Sequence, residues 1–241
     1  MKNYQKKIRL ARFLADCGIS SRRKVEHLIK GGRISVNGSI ITDLALSVGA
    51  GDEVRLDNKT TEPQKKIVLA LNKPVGFLST TKDDFMRKTV LHLIGNTGKR
   101  LYPAGRLDKG SRGLIILTND GDLVYRITHP SFNISKTYEV SLERTIQDRD
   151  VNKIKMGVLI DKRVFLPEFL KKTQKSQDGF PIVIKIHEGR KRIIRRVFKK
   201  MGYNVTDLKR IRIGDYSLAD IPEGEYRKVD ENGIRKLLMM R

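Results

Sequence analysis

The residue best placed to do chemistry in this 241-residue chain is a carboxylate set among cations in a glycine-flanked loop. In YPAGRLDKGSRGLIILTNDGDL, residues 102–122, Asp108 stands between Arg106 and Lys109, with Arg112 a few positions on. Neighbouring cations favour the ionised carboxylate, which is the form a nucleophile or a general base needs at neutral pH. A lone loop aspartate is otherwise a turn or cap residue that bonds its own backbone. No second carboxylate and no histidine constellation accompanies Asp108, which lowers a hydrolytic reading. His92, His129 and His187 are scattered without ligand spacing, and His27 lies far upstream. Cys17 is the only cysteine, so disulfides and a cysteine-rich zinc site are excluded. Neither a metal nor a cofactor is expected.

The elements that must hold this loop can be read around it. Residues 114–117 form an apolar strand, and Asn119-Asp120-Gly121 turns the chain afterwards. Further strands are expected at 67–71, 137–142 and 181–187, with helices near 122–128, 147–156 and 193–201. Such mixing indicates an α+β domain with a mixed or largely antiparallel sheet over residues 67–241. Upstream, Ile8, Leu10, Phe13, Leu14 and Cys17 recur at helical spacing and Gly18 ends that helix. Ser20 or Ser21 caps a second helix carrying Val25, Leu28 and Ile29, which Gly31-Gly32 stops. Asn37-Gly38 between two β-branched runs signals a hairpin, and Glu53–Leu56 adds a strand. These elements make a small unit over residues 1–57. Residues 58–66, polar and containing Pro63, are expected to be a linker.

Charge narrows the partner. Fifty Lys and Arg oppose 27 Asp and Glu, a formal net charge of +23. A folded chain with that excess is matched by a polyanion, and phosphate neutralisation makes nucleic acid the natural one. An amphipathic helix with a bulky aromatic face is absent and the chain has no Trp, which argues against a membrane surface. The start lacks a long apolar run and a cleavage site, and no stretch is long enough to span a bilayer. A monomeric cytoplasmic protein is expected.

Two resemblances sharpen this reading. The segment RLARFLADCGISSRRKVEHLIKGGRISVNG resembles the S4-type RNA-binding module. It places Arg9, Arg12, Arg22, Arg23 and Lys24 where an A-form backbone could be gripped. GRLDKGSRGLIILTNDG is similar to the catalytic motif of pseudouridine synthases, in the RsuA/RluB branch that modifies ribosomal RNA, and the S4 module ahead of it is that branch's usual architecture. The resemblance implies that Asp108 is the catalytic residue and that Arg106 helps displace or replace a flipped nucleotide. LNKPVG, residues 71–76, resembles an element in which Lys73-Pro74 buttress the site, and Lys73 joins the candidate RNA contacts. SKTYEV, residues 135–140, resembles the element carrying the active-site tyrosine, here Tyr138, whose ring can stack on an extruded base. The basic run 186–214 resembles a third motif, a basic helix under the active site. There Arg195 falls on the arginine expected to pair with the catalytic aspartate, and Arg190 and Arg192 are candidate RNA contacts. Ile193 stands where the branch commonly has Gln, and Ser111 replaces a common Thr. The implied reaction is isomerisation of uridine to pseudouridine in ribosomal RNA, 23S favoured over 16S, with no cofactor. The alternative is a non-catalytic S4-type RNA-binding or ribosome-assembly protein.

Overall fold

The computed structural model of the protein describes residues 7–81, 85–173 and 181–240. The chain folds into two compact units. One runs through Lys66 and takes in Gly98–Arg100; the other comprises Ile67–Thr97 and the chain from Leu101 onward.

The first unit consists of β1 (Ile8–Arg9), α1 (Leu10–Asp16), α2 (Arg22–Lys30), β2 (Ile34–Val36), β3 (Ser39–Ile41), β4 (Ser47–Val48), β5 (Val54–Leu56) and β6 (Lys59–Thr60). Leu10, Phe13 and Leu14 of α1 fall on one stripe and meet Val25 and Ile29 of α2 in the unit's core. The Ser21 hydroxyl caps α2 by accepting from the Lys24 amide at 3.4 Å. Asn37 and Gly38 both take left-handed φ, the requirement of a two-residue hairpin turn between β2 and β3. Asp57 and Asn58 do the same between β5 and β6. Part of the segment expected as a linker is therefore strand. Its polar residues made it read as a connector, although an Asp-Asn pair is equally suited to a tight turn.

The second unit holds β7 (Val68–Lys73), β8 (Tyr102–Pro103), β9 (Arg112–Thr118), α3 (Gly121–Thr128), β10 (Lys136–Leu142), α4 (Asp148–Met156), β11 (Val158–Ile160), β12 (Arg163–Phe165), β13 (Phe169–Lys172), β14 (Ile182–Ile186), α5 (Ile193–Lys200), β15 (Val205–Ile213), β16 (Tyr216–Ser217), β17 (Tyr226–Lys228) and α6 (Glu231–Leu237). Its main sheet has the order β13-β14-β10-β15-β9-β7-β17. The β15–β9 pair is parallel and the other pairs along that path are antiparallel, so the sheet is mixed.

β7 and β9 are apolar on both faces, as strands covered on both sides must be. Leu114 and Ile116 pack with Leu123 and Ile127 of α3 and Leu237 of α6. Ile115 and Leu117 pack with Val90, Leu101 and Leu107. Toward the other end of the sheet, Val140, Ile182 and Ile184 meet Val151 and Ile154 of α4 and Val197 and Phe198 of α5. Only Ile193–Lys200 of the basic run 186–214 is helical. Val205–Ile213 is instead β15, a strand between β10 and β9. Its alternating basic residues hid that placement, because Arg210 is buried where an apolar residue would be expected. No helix among the described residues is long and apolar enough to cross a membrane.

Candidate active site

The Asp108 loop enters from β8 and leaves into β9, and its backbone is tied down residue by residue. The Ser79 hydroxyl donates to the Leu107 carbonyl at 2.9 Å and accepts from the Leu107 amide at 3.1 Å. The Ser111 amide donates to the Asp108 carbonyl at 3.0 Å, and the Gly76 amide to the Lys109 carbonyl at 2.9 Å. Arg195 Nη2 donates to the Gly110 carbonyl at 2.6 Å, and Lys73 Nζ to the Ser111 carbonyl at 2.7 Å. Each carbonyl from Leu107 to Ser111 thus has a donor. The loop that displays the Asp108 carboxylate is fixed before any ligand arrives, as a site built for positional precision requires.

Two expectations are corrected by this arrangement. Lys73 is fully buried and spends its ammonium on the Pro74 and Ser111 carbonyls, so it cannot reach RNA. Burial pushes its pKa down to about 8, against the pull of the Glu223 and Asp108 carboxylates. Arg195 does not ion-pair with Asp108: its other donating arm, Nη1, goes to the Val205 carbonyl at 2.7 Å. Desolvation lowers its pKa, with Arg192 adding to the shift and Asp108 opposing it. The guanidinium facing the Asp108 carboxylate belongs to Arg192, at 3.8 Å. Arg192 adopts left-handed backbone (φ 51°) at the N-cap of α5, a conformation uncommon for a side chain without a local polar bond. Such positions cluster where a site demands them.

The carboxylate opens onto a cleft of about 400 Å³ whose walls include Arg106, Asp108, Tyr138, Arg192, Ile193 and Leu208. Tyr138 lies half-buried on β10 and packs against two of the apolar clusters. The register with β15 shifts between Thr137 and Tyr138, an irregularity of the kind that re-aims a side chain. Its hydroxyl has no hydrogen-bond partner among the described residues. Ile193 is buried in the apolar cluster beneath, so the polar group common at that position has no counterpart here. Arg190 lines the cleft with its guanidinium engaged, forking onto Glu188 and donating to the Ile160 carbonyl at 3.0 Å.

Residues 67–200 match the family described as RNA pseudouridylate synthase, and residues 8–54 match the S4 domain. A ribosomal large subunit pseudouridine synthase B of Bacillus subtilis (strain 168) is 33% identical over 232 residues, covering 95% of each chain. The chain belongs to the RNA pseudouridylate synthase family. A dual-specificity RNA pseudouridine synthase RluF of Escherichia coli (strain K12) is 35% identical over 237 residues, 97% of this chain and 79% of the other. A solved pseudouridylate synthase shares the fold with a TM-score of 0.67 and 29% identity, covering 95% of this chain and 99% of that one.

Within this pseudouridine synthase, the cations picked out in the S4 unit differ in what they are free to do. Arg22, Arg23 and Lys24 are exposed on the first turn of α2, where their charges oppose the helix dipole. Arg9 donates to the Ala45 carbonyl, and Arg12 lies 3.9 Å from Asp16. Sequence reasoning passed over Ser79, Lys136 and Arg210. A serine in a turn carries no signal of its own. Arg210 carried none either, since its placement opposite Tyr138 depends on the pairing of β15 with β10. Lys136 had one, standing two residues from Tyr138 on the same strand and so sharing its face.

Proposed function

We propose that this pseudouridine synthase acts on a uridine of ribosomal RNA, 23S in preference to 16S, with Asp108 as its catalytic carboxylate. The observation that carries the reading is the fully bonded loop backbone holding Asp108 at the mouth of the cleft, with the cations Arg106 and Arg192 around it. The B. subtilis relative, whose name specifies the large ribosomal subunit, supports the 23S preference.

In this reading the target uridine leaves its helix, at a cost of a few kcal/mol that phosphate contacts elsewhere offset. Its base lies against the Tyr138 ring, while exposed Arg106 occupies the space the nucleotide vacates. Asp108 then either bonds to C1′ as N1 departs, or removes the C2′ proton to give a glycal. In both routes N1 leaves C1′, the uracil turns and C5 bonds to C1′. That bond releases the Asp108 carboxylate from C1′ in the first route and is matched by return of the proton to C2′ in the second. The C5 proton is then lost and N1 gains one. Atoms and electrons balance within the nucleotide, so no redox partner enters. The unpartnered Tyr138 hydroxyl is available to the C5 proton. Arg195 and Lys73 act through the loop backbone and are positioning residues.

The S4 unit, residues 1–57, grips backbone through Arg22, Arg23 and Lys24, assisted by Arg9 and Arg12. Residues 67–241 form the catalytic domain, and Arg190 and Arg192 extend the RNA surface at the cleft. The enzyme acts as a monomer in the cytoplasm, where its RNA is assembled. The test is tritium release from C5-labelled uridine in ribosomal RNA. Release with the strand intact is expected. Binding without release would favour a non-catalytic RNA-binding protein, and strand breakage a hydrolase.

A further inference from the structure

A second hollow, about 670 Å³, adjoins the cleft and shares Arg106, Tyr138, Glu188, Gly189 and Arg190 with it. A buried cation, Arg210, and a half-buried one, Lys136, line it, and nothing in the proposed isomerisation uses them. Arg210 is 4% exposed. Its Nε donates to the Leu114 carbonyl at 2.7 Å, and its Nη2 is buried with no hydrogen-bond partner. Lys136 donates to the Ile127 and Ile134 carbonyls at 3.0 and 2.6 Å. Arg210 lies opposite Tyr138 across the β10–β15 register, and Lys136 lies two residues from Tyr138, so the three share one face of the sheet.

Among the described residues neither cation has an ion-pair partner. The carboxylates nearby are taken: Glu188 is forked by Arg190, and Glu168 is held by Lys185 and His187. Two like charges withdrawn from water without a counterion, one buried and one half-buried, are costly, and a guanidinium nitrogen buried without an acceptor adds to that cost. Burial, together with the Arg210 charge, brings Lys136 down to a pKa of about 8. An anion in the hollow would relieve all three penalties at once.

We infer that this hollow is a phosphate subsite, in which Lys136 and Arg210 receive a backbone phosphodiester of the RNA one or two nucleotides from the target uridine. The inference rests on the reading of the neighbouring cleft as the uridine site. A polyanionic substrate threading past Tyr138 brings a phosphate to the adjoining hollow wherever its base enters the first. The subsite would then set the depth to which the uridine enters, so that a phosphate, and not only the base, is read at the moment of flipping.

The test uses the full-length enzyme and RNA substrates carrying a single neutral methylphosphonate at each linkage flanking the target uridine in turn. One linkage should lower kcat/KM of the wild type by roughly 10–100-fold, the range for a lost charge-assisted hydrogen bond. Lys136→Met should lower kcat/KM on unmodified RNA by a similar factor and no longer discriminate the methylphosphonate. A merely structural Lys136 would leave that discrimination intact, and its persistence overturns the proposal, as does a wild type indifferent to every linkage. A second arm needs no turnover: inorganic phosphate, at constant ionic strength, should raise the Tm of the wild type more than that of Lys136→Met. Equal shifts overturn the subsite. If no RNA yields tritium, the uridine reading fails by itself and the phosphate arm still decides. If Lys136→Met does not fold, the methylphosphonate series on the wild type decides alone.

Discussion

Asp108 is about one-third exposed, and its loop is held by backbone carbonyls, not by its carboxylate. Asp108→Asn therefore keeps the loop's shape and should change stability by less than about 1 kcal/mol. Asparagine cannot bond to C1′ as an oxyanion or take the C2′ proton, so turnover should fall by roughly 10³-fold or more. Tritium release and thermal unfolding on one preparation separate the outcomes; lost activity that merely tracks unfolding would remove Asp108 from its role. Lys73 makes a different prediction. Its folded pKa, about 8, lies below the ordinary 10.5, so the folded state sheds its proton first. Between pH 8 and 10.5 the unfolded chain binds more protons at this site, and stability gains as pH rises through that window. Lys73→Met should flatten the rise relative to the wild type in denaturant titrations at pH 7.5 and 10.5. A slope unchanged by the substitution would mean that the buried ammonium is not the group titrating.

At the scale of elements, the close approach of β9 to β15 depends on Gly113. A Cβ there would stand 2.3 Å from the Arg210 carbonyl oxygen, at a φ of +100°. Gly113→Ala should cost about 2–4 kcal/mol through strain and overpacking. Its effect on activity should exceed its effect on stability, because β9 begins where the Asp108 loop ends. Equilibrium unfolding and kcat/KM on folded protein would show it; full stability in Gly113→Ala would contradict the packing. This pair of strands also marks how far the sequence could be read. The apolar run Leu114–Leu117 and the glycines around Asp108 announce a strand and its loop, because periodicity and φ requirements are local. β15 did not announce itself, since Arg210 interrupts the apolar alternation and its burial is intelligible only beside Lys136 and the hollow. Ser79 and Arg195 likewise act on carbonyls of the loop, at separations of 28 and 85 residues, and no local pattern encodes such a contact. The residue types of the site were legible, but which partner each would choose was a tertiary matter.

For the whole molecule, a net charge of +23 is a standing cost to the folded chain in the absence of RNA. Arg22, Arg23 and Lys24 concentrate that cost. They sit exposed on the first turn of a helix with no acidic residue there, where positive charge is disfavoured by a few tenths of a kcal/mol each. An arrangement that lowers stability and persists at three consecutive positions is best accounted for by a gain in binding. The triple substitution Arg22→Gln, Arg23→Gln and Lys24→Gln keeps helix propensity and leaves buried Val25 and Ile29 untouched. Unfolding measurements should show the variant as stable as the wild type, or slightly more so. RNA affinity should fall, and the slope of log affinity against log salt should become shallower by about 2–3, one phosphate contact being worth roughly 0.7–0.9. The turnover number at saturating RNA should hold, because these cations lie outside the cleft. A weakened affinity with an unchanged salt slope would mean that α2 contacts bases or protein and not backbone phosphates. An unchanged affinity would make the cluster an ordinary solvated face.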